Sequence, residues 1–252
     1  MKKLTILSAT LLTLGMLNSA KSQDLAHKLS FGLNVGVGIP GGDFSKNDGS
    51  ALPLANTTTP DTTKYNGFAK TGFHFDVYGT YMFSSHVGAM LSLGGTMNSF
   101  DAATLQTVAN SNGGSGAVVT SSGNYFVGQY LVGPYVALPL GSNKLQLELK
   151  GLVGLVTANY PTIDYAQGLG TGTITVKSGS GFGYRFGAGL KYMVADMIGL
   201  HFDLGYTGSS ITYSSSTQTQ SFGSMSQSET DPVSKTMSLS LMQVTVGVSV
   251  DL

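Results

Sequence analysis

Three observations predict an all-β fold. Large apolar and small or polar side chains alternate with a period of two, an even number of segments carries the alternation, and the connections between them run long and short by turns. Together they specify an eight-stranded antiparallel transmembrane up-and-down β-barrel, preceded by a cleaved signal peptide, in a chain of 252 residues. The clearest alternation runs from Gly181 to Gly208. Its even positions are Phe182, Tyr184, Phe186, Ala188, Leu190, Tyr192 and Val194, then Ile198, Leu200, Phe202, Leu204 and Tyr206. Its odd positions include Gly183, Arg185, Gly187, Gly189 and Lys191, then Gly199, His201, Asp203 and Gly205. A strict period of two is a strand signal, and Ala195-Asp196-Met197 is a turn joining two arms of a hairpin.

Composition narrows the class. Glycine is abundant at 35 residues and charged residues make up only 10%, which is sparse for a surface facing water. With no cysteine there is no disulfide, thiolate chemistry or Cys-bearing metal site. Residues 1–22 read as a signal peptide, with Lys2 and Lys3 as the positive start, Leu4 to Met16 as a short apolar run, and small Ala20 and Ser22 before cleavage at Gln23. The barrel domain is then 23–252. Losing the leader's three lysines turns the formal charge of +0 negative, which argues against nucleic acid as a partner.

Taken in order, the first strand is Lys28 to Pro40, with Leu29, Phe31, Leu33, Val35, Val37 and Ile39 on one face. A long loop follows to about Lys70. Phe73, Phe75, Val77, Tyr81 and Phe83 carry the second strand, and a Ser84-Ser85-His86 turn leads to the third, with Val87, Ala89, Leu91, Leu93 and Met97. A second long loop runs from about Asp101 to Ser122. In the fourth strand Pro134 cannot donate to a ladder, so a bulge or local break is expected there. After a short Gly141–Lys144 connection comes the fifth strand, with Leu145, Leu147, Leu149, Val153 and Leu155. A third loop, about Pro161 to Ser180, precedes the hairpin, and a fourth, Ser209 to about Ser234, follows it. Met242, Val244, Val246, Val248, Val250 and Leu252 close the chain; Met237, Leu239 and Leu241 have the opposite parity, which predicts a bulge near Leu241. No helix-period segment competes after the leader.

Radial direction decides between a soluble calyx and a membrane barrel. With the apolar face inward, the outside would be glycine and serine, and a narrow barrel would have to hold every Phe, Tyr and Leu. With it outward, lipid takes the large residues, and closure pairs every backbone group. Aromatic residues then mark two girdles: Phe73, Phe75, Phe182, Tyr184 and Tyr206 toward the outer ends of the strands, and Tyr81, Phe83 and Tyr192 toward the inner ends.

The chain resembles the OmpA/OmpX-like small outer-membrane barrels, and in particular the "outer membrane beta-barrel" proteins of Bacteroidota, including porin-like and PorT-like members. Three stretches carry the resemblance: Phe31 to Phe44, the Gly183 to Gly187 run, and the terminal strand. The last is similar to the signal read by the barrel-assembly machinery, with Leu252 where that signal ends in Phe or Trp. The resemblance implies a bacterial outer-membrane location, both termini periplasmic, outer-membrane lipid and the assembly machinery as partners, and no cofactor.

Candidate chemistry lies on the small-residue face. Asp76, Glu148, Lys150, Arg185, Lys191, His201 and Asp203 are the lumen-facing charges. Setting the turn at Asp196 places Lys191 opposite His201 and Gly189 opposite Asp203, with Lys191 diagonal to Asp203. One reading is a set of ion pairs that plugs a narrow barrel; another is an ion path gated by His201. A lipid-modifying site would need His74 and Asp76 beside a loop serine. Asp43-x-Ser45-x-Asn47 fails as a calcium loop, because Asp48 and Leu54 stand where Gly and Glu are required. Asp61-Thr62-Thr63 resembles a short O-glycosylation motif at Thr62. The expectation is a structural or surface-interaction scaffold whose loops meet an extracellular ligand, with a small pore, a lipid-modifying enzyme and a secretion-system accessory barrel as the alternatives.

Overall fold

The computed structural model describes residues 29–48, 66–111 and 116–252. The leader, most of the first loop and Thr62 lie outside these residues. The strands are β1 (Leu29–Gly41), β2 (Gly72–Met82), β3 (Val87–Asn98), β4 (Val118–Ser122), β5 (Tyr125–Leu140) and β6 (Ser142–Ala158). They continue as β7 (Thr162–Gln167), β8 (Gly170–Val176), β9 (Gly179–Ala195), β10 (Ile198–Phe222) and β11 (Met225–Asp251). Among the described residues one α-helix, α1 (Ala102–Ser111), lies between β3 and β4, and a 3-10 helix, Gly42–Phe44, follows β1.

Eight of these strands close a ring in the order β1-β2-β3-β5-β6-β9-β10-β11, and β11 pairs back onto β1. All neighbours are antiparallel. Val35 on β1 faces Phe75 on one side and Val246 on the other, so the apolar residues of adjacent strands share the outer surface. That surface is a continuous band in which Leu33, Val77, Leu93, Val132, Leu190, Leu204 and Val246 are all exposed. The opposite parity turns inward and is buried. The aromatic residues Phe73, Tyr81, Phe83, Phe182, Tyr184, Tyr192 and Tyr206 lie exposed on the outer surface, and Phe75 is half-buried between Phe73 and Phe126.

At the end with the long connections, the interior changes character. Val127, Leu131, Leu152, Val156, Ile211, Tyr213, Met237, Leu239 and Leu241 point in and are fully buried. Phe44, Phe68, Leu105 and Tyr160 pack onto them from the connections. The parity change near Leu241 therefore has another cause than a bulge. Pro40 and Ile39 of β1 face Leu241 and Met242 in unbroken register. The strand keeps its direction and its surroundings invert: below Leu241 the outside is apolar, above it the inside is. The irregularity lies instead between Tyr213 and Ser215 of β10. At Pro134 the register of β5 against β6 is kept on both sides while Gly133 and Pro134 form no pair, a local break without a bulge.

Three of the four expected loops contain sheet. β10 and β11 continue as a paired ribbon to Phe222 and Met225, and β8, β7 and β4 add to β10 in that order. The outer ribbon alternates Ser, Thr and Gln with one another, and β4, β7 and β8 bury only Val119, Ile163, Ile174 and Val176 between them, so little apolar period reveals these strands. The helix also departs from the expectation that no helical segment follows the leader. Its only apolar signal is Ala102, Leu105, Val108 and Ala109 over ten residues, with Leu105 fully buried. Asp101 caps it, accepting from the Thr104 amide at 3.2 Å and its hydroxyl at 2.8 Å.

Placing a cation at Val246, mid-band on the outer face, should destabilise the fold by roughly 2–4 kcal/mol in lipid; urea unfolding of Val246→Arg in vesicles checks this. Acid should also loosen α1. Burial raises the Asp101 carboxyl, but hydrogen bonds from Thr104 and Lys70 outweigh it and hold the group below its ordinary value of 3.8. Because the folded value is the lower one, this stabilisation is present above the ordinary value and is lost as pH falls through the folded one. Amide exchange in the first turn of α1 should accelerate there, and Asp101→Asn should flatten the dependence.

Candidate functional site

The interior toward the short turns holds all seven charges that alternation placed there. Asp76, Glu148, Lys150, Arg185, Lys191, His201 and Asp203 are each buried. They arrive on β2, β6, β9 and β10, each at an inward position of a regular ladder, and neighbouring glycines make room for the interior side chains. A side chain at Gly189 would collide with the Asp203 carboxylate, and one at Gly32 with the Tyr78 ring.

The contacts form three groups. Nearest the turns, Lys191 Nζ lies 2.7 Å from both oxygens of Asp251. Next, His201 Nδ1 lies 3.0 Å from Glu148 Oε2, and its Nε2 is 2.8 Å from Ser249 Oγ and 3.1 Å from Tyr78 Oη. Tyr135 donates to the other Glu148 oxygen, and Lys150 Nζ meets Asp203 Oδ1 at 2.9 Å. Deeper, Arg185 donates from Nε to Thr207 and from Nη1 to Ser92, both at 3.2 Å, and to Gln129 from its remaining nitrogen. Its Nη1 lies 3.8 Å from Asp76, which also accepts from Ser92 and contacts His74 at 3.3 Å.

Lys191 faces His201 and Gly189 faces Asp203, which is the register set by a turn at Asp196. The diagonal pair Lys191–Asp203 does not form. Asp251, on β11, reaches Lys191 over the intervening β10, and Asp203 turns to Lys150 instead. Asp251 is an interior charge that the sequence reading leaves out, although it shares the odd parity of Gln243, Thr245 and Ser249 on the same face. His74, Tyr78, Tyr135 and Gln129 also belong to the network. Among the described interior residues four carboxylates (Asp76, Glu148, Asp203, Asp251) face three fixed cations (Lys150, Arg185, Lys191), and each buried histidine touches one of the carboxylates.

Two chemical readings can be tested on this geometry. Glu148, His201 and Asp203 offer ligand atoms within 4.8 Å of one another, the spacing of a metal site. Both nitrogens of His201 are engaged, however, and the Lys150 ammonium sits where a cation would neutralise Asp203. His74, the candidate base of a lipid-acting site, contacts Thr96 at 2.9 Å and Asp76, and among the described residues no loop serine joins them. It is 1% exposed, out of reach of a lipid substrate.

A closed ring with an apolar exterior and an ion-paired interior is an integral membrane β-barrel. The chain belongs to the family described as outer membrane protein beta-barrel domain, whose model matches residues 8–251. It is a bacterial outer-membrane protein with lipid as the solvent of its outer face. No curated protein matches the chain. Among solved structures it is similar to a major outer membrane protein of Thermus thermophilus, at 12% identity over 90% of this chain and 100% of that one, with a TM-score of 0.48. Neisserial surface protein A matches at 10% identity, over 89% and 97% of the two chains, with a TM-score of 0.46. The attachment invasion locus protein Ail of Yersinia pestis matches at 10% identity, over 90% and 99%, with a TM-score of 0.43.

Arg185 joins the two halves of the interior. Arg185→Met would leave Asp76 buried without its cation, which costs about 3–5 kcal/mol where such pairs are broken on one side. The double variant Arg185→Met with Asp76→Leu should recover most of that loss, as read from unfolding midpoints in the same micelles.

Proposed function

We propose that this protein is a non-conducting outer-membrane scaffold that holds a rigid β-sheet above the membrane for surface interactions. The carrying observation is the double seal of the lumen. An ion-paired layer fills the barrel toward the turns, and an apolar layer from Leu131 to Leu241 fills it toward the long connections. An eight-stranded barrel has an interior just wide enough for side chains, so a sealed lumen leaves the projecting sheet as the working part.

In this reading the long connections face outward, the turns and both termini face the periplasm, and a cleaved signal delivers the chain to the barrel-assembly machinery. A second reading, a small proton-sensitive pore, rests on one observation: two buried histidines, His74 and His201, each touch a carboxylate in a layer where carboxylates outnumber fixed cations. Under it the gate is the histidine–carboxylate contact, and conductance depends on pH.

Single-channel recording separates the two. The mature chain, shown first to be folded by heat-modifiable gel mobility, should give no steps in a planar bilayer between neutral and mildly acid pH. Discrete, reproducible steps that change in His201→Gln would overturn the scaffold reading and install the pore.

A further inference from the structure

The projecting sheet has two faces of opposite habit. On one, hydroxyls pair across the β10–β11 ribbon: Thr217 with Thr230 at 2.9 Å, Thr219 with Ser228 at 3.1 Å, and Ser221 with Ser226 at 3.1 Å. These groups satisfy one another. The other face carries Gln218, Gln220 and Phe222 of β10, opposite Glu229, Gln227 and Met225 of β11. Here, among the described residues, the amides of Gln167, Gln220 and Gln227 have no protein partner, and each offers both donors and an acceptor.

Two glycines of β8 shape this second face. Gly172 lies under the ring of Tyr165, and Gly170 lies under the ring of Phe222, whose nearest atom is 3.2 Å from where a Cβ would stand. Both rings therefore lie flat on the sheet. Gln218 donates to the Tyr165 hydroxyl at 2.9 Å and fixes that ring. Phe222 is 61% exposed at the tip. Rings and amides, with Thr171, Ser221 and Ser226 of the same strands beside them, line one trough of about 790 Å³, large enough for several sugar units. A smaller pocket of about 110 Å³ between Gln218, Gln220, Gln227 and Glu229 extends it toward the barrel.

We infer that this trough binds a neutral glycan. The chemistry selects it by elimination. No Lys or Arg lines the trough, so a polyanion finds no cation. An extended peptide adding as a strand needs a free backbone edge, and β7, β8 and β10 are each paired on both sides here. A strand added at the outer edge of β11 would lie beside the trough rather than in it. An apolar partner would leave the amides unpaired. A neutral sugar chain has flat C–H faces for the two rings and hydroxyls that donate and accept, and it brings no charge. The tip stands above the lipid band: from Tyr206 to Phe222 the ribbon rises roughly 50 Å along the strand at about 3.3 Å per residue.

The proposal rests on the scaffold reading, since it uses the sheet as the working part. The test is calorimetric titration of the mature chain in micelles with neutral hexasaccharides of glucose, mannose and xylose, beside a sulfated hexasaccharide and a Gln/Ser-rich peptide. At least one neutral sugar should bind saturably. Phe222→Ala should weaken it by about tenfold, Gln220→Ala several-fold, and Thr219→Ala on the other face should not change it. Binding by none of the neutral sugars, binding indifferent to Phe222→Ala, or binding by the sulfated sugar or peptide alone would overturn the proposal. Conductance on the same sample keeps the readings apart. A silent barrel that binds no sugar sinks the glycan site alone, and a conducting one that binds sugar sinks the sealed lumen alone.

Discussion

A backbone amide in hydrocarbon has no water to bond, and this chain meets that requirement by closing on itself. The pairing of β1 with β11, unbroken from Ser30–Asp251 to Gly41–Ser240, removes the two edges that an open sheet would present to lipid. Much else follows. Closure with eight strands fixes a narrow bore, and the bore fixes what the inward positions can be. Small residues are needed beside large ones, which is why glycine alternates with the inward charges and why Gly189 and Gly32 lie directly against Asp203 and Tyr78. Once closed, the barrel has no free surface inside, and every polar group that enters must find a partner there.

The inward charges answer that demand as a chain of contacts rather than as isolated pairs. Burying a charge is unfavourable unless it is both paired and hydrogen-bonded. Arg185 shows how complete the answer is: its donors reach Thr207, Ser92, Gln129 and the Asp76 carboxylate on four other strands. Such a residue ties β9 to β10, β5, β3 and β2 through the interior of the ring. Asp203 Oδ2 is a buried polar atom without a hydrogen-bond partner among the described residues. It lies beside Lys150, where Coulomb attraction to the ammonium offsets part of the missing hydrogen bond.

How much of this was legible depended on whether a strand lies between two different media. Within the lipid band it does, so the outward and inward residues differ in kind and the period of two appears in β1, β2, β9 and β10. The ring, the in–out assignment and the seven charged positions could be read from that contrast. In the β10–β11 ribbon beyond Tyr213, Ser, Thr and Gln occupy both faces, and the same backbone leaves no pattern. The β7–β8 hairpin and β4 do bury one face, through Ile163, Ile174, Val176 and Val119, but one or two apolar residues in each short strand are too few to reveal the period, and one buried leucine in ten residues is too few to reveal α1. The choice of partner within the interior was also beyond parity. Lys191 is long enough to meet Asp203 or Asp251, and only the three-dimensional placement of β11 decides for Asp251.

The parity change near Leu241 carries a further lesson. A shift in which face is apolar has two explanations, a change of strand direction or a change of surroundings, and sequence alone does not separate them. Here the register is continuous, so the surroundings change. Below Leu241 the strand is built as a membrane protein, apolar outside and polar inside; above it, as a soluble one, with Met237, Leu239 and Leu241 inside. The inversion therefore marks where lipid gives way to water. On β10 it falls between outward Tyr206 and inward Ile211, a level that Tyr184 shares through its contact with Tyr206 at 6.4 Å. On β5 the crossover is broader, with Leu131 inward beside Val132 outward, so the apolar layer reaches down into the lipid-spanning part of the barrel. The apolar layer thereby joins the barrel wall to the base of the projecting sheet, through Ile211, Tyr213, Met237 and Leu239.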